Sequence, residues 1–288
     1  MMFLFLAGLA ARAQVEVQLE FDRNENQFLP AEPAVAVLRI ANFSGSPLRL
    51  GEQPGWIRFT IENIDGSVVN QTRDPEDSGA FTLKPSARGT LRFDLSPLFK
   101  LDRIGRYRVT ATVATGNGSE YVTTAPVEFE IMRGVILWEK EFGYGEGRRE
   151  RRKYLIQQAN YLKRAQVFAS VADPTGASIY RVVRLGNIVS FNPPTEFRLD
   201  VSNRLHVLHQ VGADEFLHHR ISPEGEVEVR HVYGNRTARP QLGMNDDGEV
   251  AVIHGRRKPA ASDIPKSTPA KVPAAPPSAP DAKPAKNP

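Results

Sequence analysis

All six histidines of the chain fall between positions 206 and 254: His206, His209, His218, His219, His231 and His254. Imidazole is the side chain best suited to binding a transition metal or moving a proton near neutral pH. The clustering is therefore the sharpest chemical candidate in the chain. The spacing speaks against a shared ligand set. On a strand, residues three apart (His206 and His209) or adjacent (His218 and His219) point to opposite faces, so neither pair can grip one ion from regular β-structure. No residue is assigned as a metal ligand, as catalytic or as cofactor-binding, and no cofactor is expected. The chain contains no G-x-S-x-G, no H-E-x-x-H, no phosphate-cradling glycine loop and no dinucleotide fingerprint. Acidic residues at Asp246-Asp247-Gly248 and Asp173-Pro174-Thr175-Gly176 sit in sequences typical of turns. With no cysteine in 288 residues, disulfides, thiolate catalysis, zinc–thiolate sites and iron–sulfur clusters are excluded.

Charge is concentrated rather than spread. The net charge is +4, but residues 256–288 hold seven Lys/Arg against two Asp, so the body between is close to neutral. A general basic face, and with it a nucleic-acid partner, is not expected. One internal exception is Arg148-Arg149-Glu150-Arg151-Arg152-Lys153, which follows Gly143-Tyr144-Gly145-Glu146-Gly147. This stretch, Lys140 to Lys153, reads as a mobile, solvated linker, with an anion-binding patch as the alternative.

The elements that must position these residues are strands. Val15-Glu16-Val17-Gln18-Leu19-Glu20-Phe21 alternates apolar and polar residues strictly, the pattern of a half-buried strand. Further strands are expected at Ala34–Ala41, Trp56–Glu62, Gly89–Leu95, Tyr107–Ala114 and Tyr121–Ile131, separated by Gly/Pro/Asn/Ser turns. Short strands at this spacing predict an antiparallel β-sandwich over residues 14–133. Gly105 two residues before Tyr107, and the run Phe28-Leu29-Pro30-Ala31-Glu32-Pro33 leading to Asn42, resemble bacterial immunoglobulin-like modules. The resemblance implies a tyrosine hydroxyl bonded to backbone across a turn, and a spacer or binding role.

Residues 134–255 carry a weak internal repeat. Asn203–His209 aligns with Gly248–His254 at an offset of 45, and Lys163–Ala169 aligns upstream at 40. Hairpins are expected at Tyr180–Leu185 with Ile188–Phe191, and at Phe216–Ile221 with Glu226–Val232. A period of this size resembles propeller blades, although two to three units are too few to close a ring. The expectation is a second antiparallel β-domain of blade-like repeats, with repeat copying to explain His209 and His254. Tyr154–Ala165 fits either a short amphipathic helix or, preferably, a strand.

The two ends frame this body. Residues 1–13 combine an apolar run with Ala11-Arg12-Ala13, the pattern of a cleaved signal peptide. Residues 256–288 hold nine prolines, eight alanines and no aromatic, a composition expected to stay disordered. The reading is an all-β, extracytoplasmic (periplasmic or secreted), non-enzymatic binding or structural module with no transmembrane helix in the mature chain. Its expected partner is a protein or polysaccharide of the cell envelope, with weak contact between the tail and an anionic surface. A metal-dependent hydrolase built on the histidines and a subunit of an envelope assembly are the alternatives. Sequons at Asn42, Asn70, Asn117 and Asn235 would mark surface positions.

Overall fold

The computed structural model describes residues 14–76, 79–115, 118, 120–161, 164–189, 195–235 and 238–260. Expectations for the signal peptide at 1–13 and for most of the tail lie outside the described residues. Within them the chain is nearly all β, built as several antiparallel sheets with no closed barrel and no α-helix. No helix among the described residues is long and apolar enough to cross a membrane.

The first module runs through β1 (Val15–Phe21), β2 (Gln27–Phe28), β3 (Val35–Asn42), β4 (Leu48–Leu50) and β5 (Ile57–Asn63). It continues with β6 (Phe81–Leu83), β7 (Arg88–Asp94), β8 (Gly105–Thr115), β9 (Glu120–Thr123) and β10 (Val127–Ile131). One sheet has the order β1-β3-β7; the other has β2-β10-β8-β5, with β9 added to β8. β2 pairs with β10 in parallel. Alternation puts Val15, Val17, Leu38 and Ile40 of the first sheet in one core with Phe59, Ile61, Val109, Ala111 and Val113 of the second. At the turn before β8 the Tyr107 hydroxyl donates to the Arg103 carbonyl at 2.7 Å, the kind of bond the sequence led us to expect. The strand expected at Tyr121–Ile131 is two strands. They part where Thr124 swings its hydroxyl to accept from the Ala111 amide at 3.0 Å, ahead of Pro126, which has no amide proton to give.

The loop after β2 is fixed by a buried carboxylate. Glu32 accepts from the Leu29 amide at 2.8 Å and from the Arg23 guanidinium at 2.6 Å, while Arg23 also lies over the Phe28 ring. This turn drives Leu29 out of the first module into a cluster with Ala159, Phe168 and Val182 of the second, with Met132 alongside. The boundary expected at 133–134 falls directly after this contact, between β10 and the next strand.

The second module begins with β11 (Val135–Tyr144), β12 (Glu150–Tyr161), β13 (Arg164–Ala172) and β14 (Ile179–Asn187), which form one meandering sheet in chain order. Then come β15 (Glu196–Leu199), β16 (Leu205–Gly212), β17 (Glu215–Ile221) and β18 (Val227–Gly234), a second meander. The hairpin β19 (Gln241–Met244) and β20 (Val250–Ile253) follows, and β21 (Arg256–Arg257) returns to pair with β18. Paired structure thus extends two residues beyond the limit expected at 255.

Three expectations need correction here. The supposed linker Lys140–Lys153 is part of the β11–β12 hairpin: Lys140, Glu141 and Glu150 to Lys153 are paired on the two strands, and only Glu146, Arg148 and Arg149 lie in the short turn between them. Tyr180–Leu185 does not fold onto the residues after it: β14 runs through Gly186-Asn187 and pairs back with β13, and residues 190–194 lie outside the described set. The aligned repeat segments fall on β13, β16 and β20, but β13 is third in its sheet and β16 second, so the repeat is one of local pattern and not of sheet position. The strand preferred over a helix at Tyr154 is present as β12, and the β17–β18 hairpin turns where expected. Its turn holds Gly225 at φ 86°, and a Cβ there would meet Arg181 at 3.0 Å and Val171 at 3.2 Å, so the turn packs flat on the neighbouring sheet only with glycine.

Two distinct cores cover the faces of the second meander. One, between the meanders, gathers Phe142, Tyr154, Ile156, Val167, Ala169, Val171 and Leu185 with Leu205, Val207 and Ile221. The other joins Leu208 and Phe216 to Leu242 and Val250 of the β19–β20 hairpin. β16 and β17 are therefore covered on both faces. Tyr154, fully buried and stacked on Phe142 at 4.3 Å, sends its hydroxyl across the first of these cores to the carbonyls of Asn203 at 3.1 Å and Ile221 at 3.4 Å. Replacing Tyr154 with Phe keeps the ring but strands two carbonyls, and should cost about 1–2 kcal/mol. A lowered urea midpoint with unchanged slope would show it; an unchanged midpoint would refute the bridge.

Candidate functional site

The histidines separate as their spacing requires. His206 stacks with His218 across the β16–β17 pair, ring centroids 5.3 Å apart, and His209 stacks with His219 at 5.6 Å. Val207 lies opposite His219 and Leu208 opposite His218, so the two stacks occupy opposite faces of the same hairpin. His209 and His219 share the face of Val207, toward the β11–β14 sheet. His206 and His218 share the face of Leu208, beneath the β19–β20 hairpin. His231 lies opposite His218 on β18, and His254 is exposed beyond β20.

On the second of these faces a polar row is built. The Asp200 carboxylate accepts from the Arg204 amide and guanidinium at 2.9 and 2.6 Å, and its Oδ2 lies 3.3 Å from Nε2 of His206. Burial alone would raise the Asp200 carboxyl; the Arg204 bonds, with His206, hold it below the ordinary carboxylate range. An ionised carboxylate only accepts, so His206 carries its proton on Nε2 and presents Nδ1 as an acceptor. His218 Nε2, 3.1 Å away, then donates to it. Sequence spacing could not reveal this row, because Asp200 enters from the turn after β15 and register alone brings His218 beside His206.

The row has the form of a carboxylate-oriented imidazole but not its reach. His206 and His218 are 2% and 6% exposed. Neither has a hydroxyl or thiol partner among the described residues, and no group of three His, Cys, Asp or Glu there is arranged to hold a metal ion. Burial pushes His209 down to about 4, with the nearby Arg230 charge adding to it. Burial likewise takes His218 to about 3 and His219 to about 2, with neighbouring imidazoles contributing in each case. These are neutral core histidines at physiological pH. Both ring nitrogens of His209 are buried without a hydrogen-bond partner.

The basic run on the β11–β12 hairpin is largely compensated. Arg151 pairs with Glu141 at 2.6 Å, Arg152 with Glu150 at 2.8 Å, and Lys153 with Glu139 at 3.4 Å. Arg152 also lies over the Tyr144 ring at 3.4 Å, and Arg148 donates to the Val201 carbonyl. The sequence missed these pairings because Glu139 and Glu141 come from the opposite strand. Of the sequons, Asn42 is not at the surface: it is fully buried, and its amide donates to the carbonyls of Ser46 and Leu83 at 2.8 and 2.9 Å.

A cleft of about 680 Å³ opens at one end of the first module, between the starts of β1 and β9, strand β4 and the end of β8. Val15, Leu48 and Val122 give it an apolar floor, and Ser44, Arg49, Thr115 and Glu120 a polar rim. Its size suits a small polar ligand.

No family model matches the chain, and no curated protein matches it. Among solved structures, the sporulation control protein Spo0M from Bacillus subtilis is similar at 8% identity and a TM-score of 0.29, covering 61% of this chain and 91% of that one. An uncharacterized protein from Listeria monocytogenes, solved with glucose, magnesium and calcium, is similar at 13% identity and a TM-score of 0.20, covering 73% of this chain. The match takes in 18% of the Listeria chain.

The buried imidazoles set a pH dependence. Their folded pKa values lie below the unfolded value, so the unfolded chain binds more protons between about pH 6.5 and each folded value, and stability falls as pH falls through that window. Between pH 7 and pH 5, His209, taken to about 4, should cost roughly 2 kcal/mol. His209→Leu should remove about that much from the difference in unfolding free energy between the two pH values. An unchanged difference would mean that His209 is not buried as a neutral ring.

Proposed function

We propose that this protein is a non-catalytic binding or structural module working outside the cytoplasm, with an immunoglobulin-like sandwich followed by a stack of blade-like β-layers. The observation that carries the reading is the burial of its chemistry. His206, His209, His218 and His219 are each no more than 6% exposed, so the groups best able to act as base or ligand are closed off from any substrate. The same burial weakens the metal-dependent hydrolase alternative.

Support for the immunoglobulin-like reading comes from three features together: the β1-β3-β7 and β2-β10-β8-β5 strand orders, the parallel β2–β10 pair, and the Tyr107–Arg103 bond. Support for the blade-like reading comes from the layering of the β11–β14 meander, the β15–β18 meander and the β19–β20 hairpin. The leader pattern in residues 1–13 supports export. The cleft edged by β1, β4 and β9 is the place where a polar partner such as an envelope polysaccharide would bind, and the compensated β11–β12 hairpin gives no support to nucleic acid.

Two experiments bear on this. Cell fractionation should find the chain outside the cytoplasm, and a cytoplasmic pool of full-length protein would end the reading. The purified protein should pull down envelope polysaccharide, and Glu120→Arg, which reverses a charge on the exposed cleft rim, should weaken that capture at least about ten-fold. Binding that survives Glu120→Arg would place the ligand elsewhere.

A further inference from the structure

Of the edge strands of the second module, β11 is the one that begins with a run of exposed apolar residues. β11 pairs with β12 on one side, and among the described residues no strand lies on the other. Val135, Ile136 and Leu137, consecutive on this strand, are 64%, 52% and 37% exposed. Successive paired residues face opposite ways, so exposure of both Val135 and Ile136 means that the start of β11 is bare on both faces as well as along its edge. Soluble proteins protect such edges with charges, prolines or cover. Here the first four residues, Val135-Ile136-Leu137-Trp138, carry no charge and no proline. One protective device is present, a bulge between Ile136 and Trp138, and it interrupts pairing over a single residue.

We propose that this edge is covered by β11 of a second copy of the chain, run antiparallel about a two-fold axis at Ile136–Leu137. Charge selects this occupant and this direction. The segment Arg133-Gly134-Val135-Ile136-Leu137-Trp138-Glu139-Lys140-Glu141 is basic at its start and mainly acidic at its end. Antiparallel pairing brings the basic start of the segment in each copy beside the mainly acidic end of the other, Arg133 toward Glu139 and Glu141. A parallel pair would set arginine on arginine and glutamate on glutamate, which is unfavourable for directly opposed residues. Glu139 and Glu141 already pair with Lys153 and Arg151, so each Arg133 would join an existing charge network. The apolar residues meet at the centre, and two four-stranded sheets become one continuous sheet.

The absence of cysteine makes this directly testable. Light scattering on the full chain should give twice the chain mass, and Ile136→Lys should return it to the mass of one chain. Ile136→Thr, which keeps a β-branched residue, should weaken the dimer at least about ten-fold without changing the circular dichroism. Under mild oxidation Leu137→Cys should give a disulfide-linked dimer on a non-reducing gel, while Thr175→Cys, in an exposed turn far along the chain, should not. A single-chain mass up to about 100 μM, a dimer that persists in Ile136→Lys, or equal cross-linking of the two cysteine variants would each overturn the proposal. Should Ile136→Lys fail to fold, the threonine and cysteine variants decide it alone.

Discussion

The hydroxyl of Tyr154 leaves one sheet of the second module and ends on two carbonyls of the other, and the layering of that module depends on where it lands. One of those carbonyls, Asn203, belongs to the turn that precedes β16; the other, Ile221, closes β17. The Asn203 side chain in turn donates to the Gly143 carbonyl at 3.0 Å on the first sheet, so the two sheets are latched in both directions. Hydrophobic burial can hold two sheets together, but it does not fix their lateral position, because apolar contact is non-directional. The latch supplies that direction. Asn203 adopts φ 59°, a left-handed conformation that asparagine tolerates better than most residues, and that turn geometry brings its carbonyl within reach of the tyrosine.

With the sheets located, β16 and β17 are enclosed between two cores, and this decides the fate of the histidines. A hairpin buried on both faces has no polar side to give away, so polar residues within it must pair with one another or stay bare. On one face Asp200 and Arg204 organise His206 and, through it, His218. On the other, His209 and His219 stack with ring planes 11° apart and leave imidazole nitrogens without partners. The cost of such groups is met by the surrounding apolar contacts. The module junction follows similar logic: a buried carboxylate, Glu32, shapes a turn so that Leu29 can leave its own core for another.

Sequence pattern made much of the first module legible, because its strands have one buried and one exposed face. Val15–Phe21 alternates so strictly that its bounds match β1. The strands β2, β4 and β6, of two or three residues each, are too short for any periodicity to emerge. The β11–β12 hairpin was hidden by its exposure: charged residues on outward faces, next to Gly143 and Gly145, have the composition of a linker. In the candidate site, parity along the strand correctly kept His206 apart from His209 and His218 apart from His219. What parity cannot give is register, which comes from the turn between β16 and β17 and from the bulge near Gly212. Register is what places His218 beside His206 and His231 opposite His218, and what sets Glu141 against the basic run. The buried Asn42 illustrates the same limit, since a glycosylation motif says nothing of where its amide points.

The short parallel pair β2–β10 gives the molecule a mechanical character. The two strands run in the same direction; β1, paired with β3, precedes β2, and the chain leaves β10 toward the second module. A pull between the start of β2 and the end of β10 draws the strands past each other, loading together the Glu130 amide to Asn26 carbonyl bond and the Met132 amide to Phe28 carbonyl bond, both 2.8 Å. An antiparallel hairpin pulled at its open end yields one bond at a time; this pair must slip as a unit. Because Leu29 follows Phe28 directly and anchors in the second module, tension that breaks the β2–β10 pair would also unseat the joint between the modules.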